Sequence, residues 1–128
     1  MLLIMGACTR NHGDIGPWFG TWHVEQITAA GTPVNVEGDY FFQFQSHVFR
    51  VSNVSGHQDV VESFGTWRED DDGSMTIDFP ESTVYYILMP GLEAHNHFIV
   101  GATMAGRVNL VKEDANGTVY TYWLHRQP

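Results

Sequence analysis

His95-Asn96-His97 is the closest grouping of metal-capable side chains in the sequence. Residues two apart on a strand share a face, so the two imidazoles could hold one ion between them. A third ligand would have to come from elsewhere, and the single cysteine, Cys8, lies far upstream. Histidines beside asparagine are ordinarily solvated polar residues, and no metal is expected. The acidic run ending in Asp70-Asp71-Asp72-Gly73 lacks the alternating spacing and distal glutamate of a calcium loop, so it reads as a solvated turn. Gly-rich phosphate loops, Gly-x-Ser-x-Gly and His-Glu-x-x-His are all missing. Glu25 and Asp78 are two carboxylates that could meet across a barrel mouth, although placement on the surface accounts for them equally well. The expectation is a non-enzymatic protein without a cofactor.

Composition narrows the class further. The chain has 128 residues, 43% of them apolar and 13% aromatic, enough for one domain with a core that needs no disulfide. Its formal charge of −9, with six scattered basic residues, excludes a phosphate-binding patch and hence a nucleic-acid partner.

The residues that could do chemistry must be positioned by strands. Tyr40, Phe42 and Phe44 alternate with Phe41, Gln43 and Gln45, and Met75, Ile77 and Phe79 alternate with Thr76 and Asp78. Period two is the signature of a strand with one buried face. Asp71-Asp72-Gly73 and Asn116-Gly117 stand between β-rich runs as hairpin turns. A further strand is expected from His97 to Met104, with Phe98, Val100, Ala102 and Met104 on one side. Val84 to Met89 reads as a strand or a short helix, broken at Pro90-Gly91. No helical period is sustained elsewhere. About eight strands joined by short turns predict an all-β, antiparallel up-and-down barrel of eight, possibly nine, strands. A sandwich would need longer crossovers, for which only Pro80 to Asn96 has the length. Residues 1–15 form an apolar leader and polar tether, and 16–128 the barrel.

The four residues Phe-Gly-Thr-Trp occur twice, at 19–22 and 64–67. Gly20-Thr21-Trp22 resembles the Gly-x-Trp motif that opens the first strand of lipocalins and related calycin barrels. The resemblance implies that Trp22 packs across the closed end of the barrel with a late basic side chain against it. Arg126 is the residue placed to do so, and Lys112 is the second candidate. The Thr-Asp-Tyr motif and the long first loop of many lipocalins are missing, which weighs against a deep cavity. The second copy is expected to pack as core, with Gly65 relieving crowding where the barrel turns a corner. Trp67 would plug the barrel from a second direction.

Counting by alternation from Trp22 puts Val24 and Gln26 inside. The other rows add Tyr40, Phe42, Phe44, Met75, Ile77, Phe79, Phe98, Val100, Tyr120, Tyr122 and Leu124. Of these, Tyr40, Phe42, Phe44, Phe98, Tyr120 and Tyr122 are the candidate ligand-binding side chains. Tyr85 and Tyr86 would join Tyr120 and Tyr122 around a mouth that is apolar below and wet above.

The opening segment, Met-Leu-Leu-Ile-Met-Gly-Ala-Cys, resembles a bacterial lipobox, with Gly6 and Ala7 before the cleavage point and Cys8 as the lipidated residue. It is too short to span a membrane and carries no basic n-region, which points to a displaced start. The whole pattern most resembles the small bacterial lipocalin-like lipoproteins. That resemblance implies an envelope protein anchored to the membrane through Cys8 and binding a small hydrophobic molecule. The alternative is a filled barrel acting as an accessory subunit or inhibitor in an envelope complex, with Trp18, Phe41 and Trp123 forming an exposed patch for a protein partner.

Overall fold

The computed structural model describes residues 18–55, 60–80, 89–101 and 106–127. The leader with Cys8, most of the Val84–Met89 segment, Tyr85, Tyr86, Ala102 and Met104 lie outside the described residues.

Among the described residues nine strands follow one another: β1 Gly20–Ala29, β2 Thr32–Pro33, β3 Asp39–Gln45, β4 Val48–Val54, β5 Val60–Glu69, β6 Met75–Asp78, β7 His95–Val100, β8 Arg107–Glu113 and β9 Val119–Arg126. All pairings are antiparallel. β1 pairs with β3, each later strand pairs with the next, and β9 returns to β1, closing a barrel of eight. β2 is a two-residue extension that folds back on the end of β1 at Thr28↔Pro33 and Ala29↔Thr32. β6 and β7 are direct neighbours, so the long connection between them is no crossover and the meander is complete. Closure removes the exposed edges that flat aromatic strands would otherwise offer to other chains.

The inward face is the apolar row of each alternating strand. Tyr40, Phe42 and Phe44 of β3, Phe49 and Val51 of β4, and Met75 and Ile77 of β6 are buried, as are Phe98, Leu110, Tyr122 and Leu124. Phe42 meets Phe49 at 5.1 Å, Phe44 meets Phe49 at 5.0 Å and Phe98 meets Tyr122 at 5.8 Å between ring centroids, mostly edge to face. Such pairs contribute about 0.5–1.5 kcal/mol each beyond the area they bury.

Strict alternation fails in β1. A register shift between Val24 and Gln26 against β9 inserts one extra residue. Trp22 and Val24 point inward as expected, but the bulge turns Gln26 out to solvent and brings Ile27 in. Trp18 also departs from expectation. It precedes β1, is only 6% exposed, and joins the core instead of an outer patch.

Candidate functional site

The two ends of the barrel are built differently. At one end the two Phe-Gly-Thr-Trp copies meet. Trp22 lies directly opposite Arg126 on β9, and the Arg126 guanidinium carbon stands 4.6 Å from the Trp22 ring centroid. The same guanidinium donates a 2.5 Å hydrogen bond to the Phe19 carbonyl. Gly20 makes room for it: a Cβ there would stand 3.0 Å from an Arg126 terminal nitrogen, and Gly20 has φ +117°. Trp22 Nε1 donates to the Trp18 carbonyl at 3.0 Å. From the second copy, Trp67 packs edge-on against Phe44 at 5.0 Å and against Phe19 at 6.2 Å. Gly65 allows β5 to approach β6, because a Cβ there would lie 2.2 Å from the Asp78 carbonyl oxygen. Trp18, Trp22 and Trp67 thus seal this end around Phe44.

Lys112, the second candidate for Trp22, is at the opposite end. β8 alternates Val108, Leu110, Lys112 inward, so the lysine side chain rises through the core with 1% of it exposed. Its Nζ donates to the Gly91 carbonyl at 2.5 Å, Glu93 Oε1 at 2.9 Å and Asn96 Oδ1 at 2.9 Å, which uses all three protons. Asn96 is fully buried and equally saturated. Its amide donates to the carbonyls of Ile77 and Glu93, and its oxygen also accepts from the Glu93 N–H. Tyr122 donates its phenol proton to the Pro90 carbonyl at 2.6 Å. Burial, with Tyr120, Glu93 and Asp114 nearby, pushes that phenol well above its usual range. Met89 and Leu92 pack onto the core from above. The segment Met89–Glu93 is therefore drawn over the mouth by polar side chains standing on β7, β8 and β9.

Of the six candidate ligand residues, Phe42, Phe44, Phe98 and Tyr122 are 0% exposed and touch no space large enough for water. Tyr40 is buried near the mouth, and Tyr120 is partly exposed and stacks on Tyr122 at 6.4 Å. Phe41 lies outside, half-buried against His23 at 5.1 Å, and Trp123 is exposed on the wall.

The polar residues considered for chemistry are dispersed. Glu25 faces outward to Arg107 at 3.3 Å and His125 at 3.7 Å, whereas Asp78 is paired with His95 and lies 3.8 Å from Arg68. These carboxylates do not form a pair across the mouth. His95 and His97 do share the outer face of β7. His95 Nδ1 meets Asp78, and His97 Nε2 meets Ser74 Oγ at 2.9 Å. The same Ser74 hydroxyl lies 2.5 Å from Asp72 Oδ1 and 3.2 Å from Asp70 Oδ2, so the two carboxylates and His97 share its single proton. Thr76, Ser74 and Arg68 hold the Asp70 carboxyl below its ordinary range against its partial desolvation, and Ser74 does the same for Asp72. Among the described residues, no group of three or more His, Cys, Asp or Glu could hold a metal ion.

The mouth network escaped the sequence reading. The signal was there, since Lys112 continues the inward parity of Val108 and Leu110.

No family model and no curated protein sequence matches the chain. Its fold does match solved structures. A lipocalin-like protein from Bacteroides uniformis superposes with a TM-score of 0.68 at 19% identity, over 88% of this chain and 100% of that one. An uncharacterized protein from Bacteroides eggerthii gives 0.66 at 16% identity, over 86% and 99%. With a closed antiparallel barrel of eight strands, one end sealed by tryptophans and the other covered by a loop, the fold of this chain is that of the lipocalin-like β-barrels.

Proposed function

We propose that this barrel is a non-enzymatic binding protein for a small apolar or amphipathic molecule, received at the mouth and held near a bacterial envelope membrane by a lipid on Cys8. The observation that carries the reading is the inequality of the two ends. One end is shut by interlocked indoles and a guanidinium. The other is covered by a loop tied through hydrogen bonds, with Tyr40, Tyr120 and Leu92 beneath or beside it. Each such hydrogen bond can be replaced by one to water or to a ligand's polar head while Lys112 stays paired, whereas contacts within the ring cluster have no such substitute. A molecule entering there would place its apolar part against Tyr120, Met89 and Leu92 and its polar part near Lys112, Asn96 and the Tyr122 hydroxyl. The Cys8 anchor rests on the lipobox-like opening alone.

Titration with the apolar fluorophore N-phenyl-1-naphthylamine tests the mouth. Saturable enhancement of its emission is expected, weakened by Leu92→Gln. The absence of any saturable response would contradict the reading.

One observation favours a second reading, in which the barrel is an accessory or inhibitory subunit binding a protein. Four of the six candidate ligand rings are wholly enclosed, while Val60, Phe64 and Trp123 are 54%, 52% and 40% exposed on the outer wall. Exposed apolar side chains of that size suit a protein contact.

A further inference from the structure

The outer wall carries a second feature, which borders the mouth at Glu93 and Lys112. Among the described residues β7 and β8 pair only at Ile99↔Val111 and Val100↔Leu110, although β8 continues to Glu113 and β7 begins at His95. Toward the mouth the two strands part, and the hydrogen bond from Lys112 to Asn96 bridges the gap where the ladder would have continued. Outside this seam lies a groove of about 560 Å³, within the range that holds small ligands.

The groove has an apolar floor and an acidic rim. Ile99 is 61% and Val119 44% exposed; Val111 lies opposite Ile99, and Val119 lies opposite Glu113. Such side chains gain about 25 cal/mol for each Å² they lose to solvent. The rim is made by Glu93, Glu113 and Asp114. Lys112 is the one lysine or arginine among the described lining residues, and its charge is already met by Glu93. Glu113 joins no ion pair among the described residues. Asp114 receives only backbone N–H groups, from Asn116 and Thr118. His95 and His97, also at the groove, are bonded toward Asp78 and Ser74 on the β6 side. Glu113 and Asp114 thus line the groove together with exposed methyl groups, and neither carboxylate is paired with a lysine or arginine among the described residues, on a chain whose formal charge is −9.

We infer that this groove is a binding site for an amphiphile with a cationic head, an alkyl or aryl ammonium. The apolar part lies on Ile99, Val111 and Val119, and the ammonium stands at Glu113 and Asp114. An anionic head is repelled by the same rim. The site goes beyond the mouth reading, because it lies on the outside of the wall.

The test is a titration of the ¹⁵N-labelled full chain with octyltrimethylammonium, octyl sulfonate and octyl glucoside, each below its micelle-forming concentration, followed amide by amide. The ammonium should shift Ile99, Val111, Glu113 and Val119 saturably and bind at least about tenfold more tightly than the sulfonate, one decade in Kd. Glu113→Lys and Ile99→Ser replace exposed side chains, so both variants should fold, and each should weaken ammonium binding about tenfold. Equal affinity for ammonium and sulfonate overturns the inference, as does the lack of any saturable shift. Shifts confined to Tyr40, Tyr120 and Leu92 overturn the groove while supporting the mouth, so the two ideas fail separately.

Discussion

Arg126 and Trp22 are direct cross-strand neighbours, and the guanidinium lies over the indole 4.6 Å from its centroid while donating to the Phe19 carbonyl. One side chain therefore ties the last strand both to the first strand and to the segment that enters it. A cation over an indole contributes about 0.5–2 kcal/mol, and a charged hydrogen bond about 1.5–3 kcal/mol. Arg126→Ala should lower unfolding free energy by about 2–4 kcal/mol in urea denaturation. Arg126→Lys should recover part of the loss. A change within about 0.5 kcal/mol, typical of an unremarkable surface site, would contradict this role.

The second Phe-Gly-Thr-Trp copy should be as intolerant at its glycine. A Cβ at Gly65 meets the Asp78 carbonyl oxygen at 2.2 Å and a Phe79 ring carbon at 2.9 Å. The backbone oxygen cannot swing aside, so Gly65→Ala must push β5 and β6 apart. The expected cost is about 1–3 kcal/mol, read from the urea midpoint. An unchanged midpoint would show that the strands have room to separate freely.

At the mouth, Lys112 is buried and ion-paired to Glu93. Removing one partner of such a pair typically costs about 3–5 kcal/mol, because the other charge is left uncompensated. Glu93 is 38% exposed and can turn to water, so the two single variants should be unequal. Glu93→Gln, which strands the lysine, should cost more than Lys112→Met, which leaves a solvated carboxylate and an apolar stem. The double variant should be more stable than Glu93→Gln alone. Equal, additive effects in the double-mutant cycle would mean the two residues are not coupled.

Acid should weaken the turn between β5 and β6. Asp70 accepts from Thr76 at 2.8 Å and its carboxyl is held below the ordinary value of 3.8. A carboxyl depressed in the folded state binds protons less readily there than in the unfolded chain. Its stabilisation is therefore complete above about pH 5 and is lost as pH falls below the unfolded value and through the folded one. Asp70→Asn should be less stable than the parent at pH 7, with the difference shrinking steadily towards pH 3. A difference that stays constant with pH would remove Asp70 from the account.

Much of the barrel was legible because its physics is local. The alternation of Tyr40, Phe42 and Phe44 fixes which face of β3 is buried, and the Asp-Gly and Asn-Gly turns fix where hairpins close. The extra residue in β1 was not legible. A bulge is a property of the β1–β9 pairing, and nothing in the local sequence marks it, so alternation alone puts Gln26 on the wrong face. Trp18 failed for a related reason: it precedes the first strand, and alternation says nothing about a residue that folds back over an end. The mouth was half legible. Parity alone sends Lys112 inward, but only the fold brings Glu93 and Asn96 to meet it. The enclosed rings show the converse limit. Periodicity tells which aromatics face the interior, whereas whether they leave a cavity depends on how rings from different strands interlock.

The most direct measurement is native mass spectrometry of the protein isolated gently from its own membranes, repeated on the denatured sample. The account predicts a chain carrying a covalent lipid on Cys8 and a discrete non-covalent adduct that is lost on denaturation. A chain with neither, whose membrane fractionation is unchanged by Cys8→Ser, would contradict both the anchor and the cargo and would turn attention to the outer wall as a protein-binding surface.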